Sequence, residues 1–141
     1  MGLLLGSIHA QGLPNVVESR TLLQATSSWD GTPYRSYTRD NPQLAILKIT
    51  IPPHTALEWH SHPVPSAGYI LAGELTVETK GGKSKVFRAG DAIAETVNIV
   101  HRGTSGSEPT VLIVFYAGTP SLPLARPDGS ALNGAINAVT R

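Results

Sequence analysis

Short alternating runs, each soon stopped by proline, glycine or asparagine, leave this chain little room for anything but a β-rich fold. Leu44–Ile51 sets Leu47, Ile49 and Ile51 on one face of an extended strand. Pro52-Pro53 then ends it, because proline has no N–H to give to a ladder. Pro63 and Pro65 break the chain again before Gly68-Tyr69-Ile70-Leu71. Gly73 permits a turn into Glu74–Thr79, where Leu75 and Val77 alternate inward. Gly81-Gly82 closes a hairpin onto Ser84–Phe87. Ala89-Gly90-Asp91 turns the chain into Ala92–Glu95, Asn98 interrupts it before Ile99–His101, and Val111–Tyr116 is the last strong strand. With many short strands and no convincing helix, the pattern predicts an antiparallel barrel or jelly roll.

Size and charge narrow the function classes. The 141 residues make one domain, large enough for a single core. A net charge of +1, with no run of lysine or arginine, gives no electrostatic case for nucleic acid or an anionic membrane. No stretch reaches the roughly 18 apolar residues of a membrane-spanning helix. Without cysteine, disulfides, thiolate metal sites and a cysteine nucleophile are excluded. Leu3–Ile8 followed by His9-Ala10-Gln11 looks like the end of a secretory signal cleaved after Ala10, which predicts a periplasmic or secreted protein. The run is short and no basic residue precedes it, so a cytoplasmic protein with an N-terminal strand is the alternative.

The residues that carry chemistry are histidines. In an extended strand successive side chains point to opposite faces, so His60 and His62 project from the same side. His101 is the natural third partner for one ion. With nitrogen and oxygen ligands only, that ion would be a divalent iron, manganese, nickel, copper or zinc. Each ring must be neutral at its coordinating nitrogen, so affinity is expected to fall as pH drops towards about 6. The other nitrogen of each ring needs an acceptor that sequence alone does not identify.

The layout around these histidines resembles the two motifs of the cupin superfamily. The first runs from His54 through His60 and His62, across Ser66, to Gly73. The second runs from Gly90 through Thr96, Asn98 and His101 to Ser105. The histidines, Gly73 and Gly90 fall at the family's spacing. His54 stands where the family has its first glycine, Ser66 where it has a glutamate, and Thr96 and Asn98 where it has proline-x-glycine. The resemblance implies an all-β, single-domain jelly-roll barrel over residues 43–118. Residues 1–12 would be a signal remnant, 13–42 an N-terminal extension with a short strand at Thr21–Gln24, and 119–141 a C-terminal extension. That extension is either ordered along the barrel or a loose tail, with one weak helical turn at Ala131–Ile136.

For function, the resemblance implies His60, His62 and His101 as metal ligands and leaves the fourth position in question. Either Ser66 leaves it open to water or substrate, or Glu95 replaces the missing glutamate. Glu95, six residues before His101, is alternatively a solvated carboxylate near the barrel rim. His54 reads as a loop residue at the barrel mouth. Trp59, out of phase with the histidines, reads as a packing or interface residue, and Arg102 as a surface charge. The expected activity is metal-dependent chemistry on a small organic molecule, most concretely a dioxygenase-type oxidation. A non-catalytic binding or sensing module is the rival, and a degenerate barrel without metal a third possibility. Family analogy adds a homodimer.

Overall fold

The computed structural model describes residues 16–129. The signal-like segment and the helical turn at 131–136 lie outside them. Nine strands follow in order: β1 (Gln43–Ile51), β2 (His60–Ser61), β3 (Ser66–Ala72), β4 (Glu74–Thr79), β5 (Ser84–Arg88), β6 (Ala92–Ala94), β7 (His101–Ser105), β8 (Thr110–Gly118) and β9 (Arg126–Pro127). They form two antiparallel sheets, in the orders β1-β8-β3-β6 and β5-β4-β7-β2-β9. Among the described residues there is no helix, and none long and apolar enough to cross a membrane.

The alternation read from the sequence sets the inner faces. Ile51, Ile70, Leu75, Val77, Phe87, Ile93, Leu112, Val114 and Tyr116 make the core. Burying each such side chain contributes roughly 1.5–3 kcal/mol. Leu44 and Ile46, of opposite phase on β1, are both 70% exposed. The hairpin at Gly81-Gly82 is present, with Gly82 at φ +90°. Gly73 is required more strictly. Its φ is +75°, and a Cβ there would sit 2.4 Å from the Pro109 carbonyl oxygen.

The extensions depart from expectation in part. Thr21–Gln24 carries no regular secondary structure and is exposed, so the short strand is absent. The turn at Ser27–Pro33 is formed, with Asp30 accepting from Ser28 Oγ at 2.6 Å and Thr32 N at 3.0 Å. Beyond β8, residues 119–129 run along the barrel as an ordered strap, and β9 pairs with β2.

Candidate metal centre

His60 and His101 face each other across the β2–β7 ladder. His62 follows just after β2 ends, in a short segment shaped by Pro63 and Pro65. The three rings lie 4.6–5.0 Å apart between centroids. Each offers a nitrogen within 4.8 Å of the other two. His62 and His101 are 4% and 3% exposed, and His60 is half-buried.

The acceptors that sequence could not identify are all backbone carbonyls. His60 Nδ1 donates to Glu58 O at 2.7 Å, His62 Nδ1 to Leu124 O at 2.9 Å, and His101 Nδ1 to Ile99 O at 2.9 Å. A carbonyl only accepts, so each Nδ1 holds the proton and each Nε2 keeps a free lone pair. Burial lowers the pKa of all three rings, that of His62 to about 3 and that of His101 to about 4. They are therefore neutral at physiological pH, the form a metal needs.

Glu95 corrects an expectation. It is not at the rim but inside, 6% exposed, where β6 ends beside β3. Its backbone N–H donates to Ser66 O at 3.1 Å, so it stands next to the residue occupying the family's glutamate position. Its Oε2 lies 3.7 Å from His101 Nε2 and has no hydrogen-bond partner; the buried Ser66 Oγ has none either. Burial pushes the Glu95 carboxyl up to about 7. With His101 held neutral, their approach is a dipolar contact rather than an ion pair. Glu95, the three histidines and Tyr116 line a cavity of about 50 Å³, otherwise walled by aliphatic side chains. Sequence reasoning did not single out Tyr116 for the site; its ring packs 5.4 Å from that of His62. Its inward phase on β8 was the available signal.

The departures in the second motif have physical roles. Asn98 takes the left-handed conformation, φ +57°, that the family gives to glycine, and asparagine tolerates it better than most residues. Its N–H donates to His62 O at 2.8 Å. Thr96, fully buried in the proline position, sets its hydroxyl 3.0 Å from His101 Nδ1. Ser105 holds the β1–β2 connection through Thr55 N and Pro52 O.

The other candidates lie apart. Trp59 points outward beneath the Arg102 guanidinium, 4.5 Å from the ring centroid. Arg102 is also paired with Glu78 at 2.7 Å, so it is a fastened surface charge. His54 is an exposed loop residue with φ +50°, but it is not at the site mouth. Its N–H bonds Gly106 O, beyond the far end of β7 from His101.

A nine-stranded double-sheet core with inward histidines defines a small β-barrel suited to a mononuclear metal. The Cupin domain family matches residues 47–116, and the chain belongs to the cupin superfamily. Its fold is similar to that of a cupin-like protein from Thermotoga maritima, with TM-score 0.53 and 19% identity over 61% of this chain and 65% of that one. It is also similar to a DMSP lyase, DddQ, from Ruegeria pomeroyi, with TM-score 0.52 and 22% identity over 66% and 45% of the two chains. The chain thus spans between just under half and about two thirds of these proteins. No curated protein sequence matches it.

Proposed function

We propose that this cupin holds one divalent transition metal through the Nε2 atoms of His60, His62 and His101. The observation that carries this reading is the set of three buried, neutral rings whose Nδ1 protons are all committed to carbonyls. Glu95 is the fourth, oxygen donor. Its buried Oε2 has no protein donor and lies 3.7 Å from His101 Nε2, and one carboxylate would reduce the site's net charge from +2 to +1. Iron, manganese, nickel, copper and zinc all suit a nitrogen-rich set with one carboxylate.

The reaction class we favour is dioxygenase-type oxidation of a small organic molecule. A redox-active metal would supply the activation of dioxygen. Aliphatic side chains wall much of the cavity, and Glu95 as a ligand would place an ionised carboxylate beside the ion. A second reading, a non-catalytic metal-binding or sensing module, draws support from the size of that cavity. About 50 Å³ is space for one or two waters. Any substrate must therefore be very small, or reach the ion from the mouth.

Elemental analysis after gentle purification tests the metal, beside a variant carrying His60→Ala and His62→Ala. Near-stoichiometric metal lost in the variant supports it, and no metal after reconstitution with all five ions overturns it. Iron-dependent oxygen uptake with small acids, diketones, thiols or catechols separates enzyme from binding module.

We further propose a homodimer. Leu44, Ile46 and Phe115 leave the outer face of the β1-β8-β3-β6 sheet apolar, and a groove of about 460 Å³ runs beside it under Leu23 and Tyr37. A face of this kind fits a second copy of the chain. Light scattering that reports a monomer at all concentrations overturns this.

A further inference from the structure

The three histidines are not held alike. Glu58 O and Ile99 O are each two residues from the ring they orient, so those rings are set by their own loops. The acceptor for His62 is Leu124 O, 62 residues away and outside the matched cupin domain. It sits in the strap that follows β8. That strap is fastened along its length. Thr119 is buried, Leu122 and Leu124 pack on the core, and Ser121 Oγ donates to Asp40 at 2.9 Å. β9 pairs with His60 and Ser61, Asp128 N donates to Trp59 O at 2.9 Å, and Asp128 is paired with Lys80. The strap therefore grips the His60–His62 segment from both ends.

The geometry points to residues 119–128 as a metal-linked latch: docking of this strap orients His62 for the ion, and the bound ion in turn holds the strap down. This rests on the metal reading proposed above. Two physical arguments carry it. First, β2 is only two residues long and lies between β7 and β9. Without β9 it becomes a sheet edge, and the backbone that aims His60 loses one of its two ladders. Second, without Leu124 O the His62 ring has no assigned acceptor, so its tautomer and rotation are no longer set. Whatever strap docking contributes to metal affinity, metal binding must return to strap docking, because linkage between two equilibria is reciprocal. Leu124 is thus a positioning residue acting through its carbonyl, and it does not itself touch the ion.

The test uses the full chain and Co(II) or Zn(II) alone. Metal is titrated by calorimetry, and amide hydrogen exchange is followed in peptides covering residues 119–128. We expect the metal to slow exchange there at least tenfold, and to have no such effect when His60 and His62 are alanine. Leu124→Gly, which removes the packing that seats the strap, should weaken the metal Kd by ten- to a hundredfold, the range found when an oriented ligand loses its outer partner. Its Co(II) visible spectrum should change, which a loss of stability alone would not produce. Failure of the full chain to bind metal sinks the metal reading and the latch together. Binding without protection of the strap overturns the latch and leaves the metal reading standing. Should Leu124→Gly fail to fold, the exchange measurement on the full chain decides.

Discussion

The His60–His62 segment and the Thr96–His101 segment perform the same task in different ways. The second is self-contained. Asn98 turns the chain at φ +57°, and Thr96 and Ile99 reach back to His101 within five residues. The first borrows its order. Prolines leave it with a two-residue strand, and its partners arrive from β7, β9, Asn98 and Leu124. A ligand set by a local turn can be recognised from a motif. For His62 the motif reveals the ligand but not the remote strap that orients it, because the strap appears in no local pattern.

Substituting the ligands should break both segments equally. His62→Ala or His101→Ala is expected to weaken metal binding by more than about a hundredfold, above the range for outer partners. Elemental analysis or calorimetry reads this. If His101→Ala keeps tight binding, the two halves are not one site.

Glu95→Gln separates metal affinity from fold stability. Metal binding should weaken about tenfold or more, as expected for loss of a charged oxygen donor. The metal-free protein should instead become more stable above pH 7. A carboxyl raised to about 7 in the folded state contributes stability that is complete below its unfolded pKa near 4.5 and is lost as pH rises through 7. Glutamine carries no such loss. Urea melts of metal-free protein at pH 8 that place the variant below the parent would contradict this.

The histidines give the opposite slope. Their folded pKa values are depressed by burial, to about 3 and 4 for His62 and His101, so between those values and 6.5 the unfolded chain binds more protons. The metal-free protein should therefore lose stability as pH falls from 6.5 to 4.5, with three rings outweighing one carboxyl. A urea midpoint higher at pH 5 than at pH 6.5 would show that the rings are not buried neutral.

Two smaller substitutions probe the self-contained segment. Asn98→Val forces a β-branched residue into the left-handed region, at a cost of roughly 1–2 kcal/mol, whereas Asn98→Gly should be almost neutral. Chemical denaturation distinguishes them. Thr96→Val removes one contact to His101 Nδ1 but leaves Ile99 O, so metal affinity should fall less than tenfold.

What was legible in the sequence has a common cause. Alternation at Leu75 and Val77, the stops at Pro52-Pro53 and the turn at Gly73 are local, and local sterics decide them. The phase of His60 and the spacing to His101 likewise pointed to one shared site. Glu95 was misplaced at the rim because chain position says nothing about depth. Its burial depends on β6 pairing with β3 beside Ser66, two strands far apart in sequence.

The sequence by itself determined an all-β barrel, the strand faces and the histidine trio, because strand periodicity and turn chemistry act over a few residues. Only the tertiary structure decided that Glu95 enters the cavity, that His54 does not, and that Leu124 orients His62. Those outcomes depend on which backbone groups meet across the closed barrel, and hydrogen bonds between segments 62 residues apart leave no periodic trace in the chain.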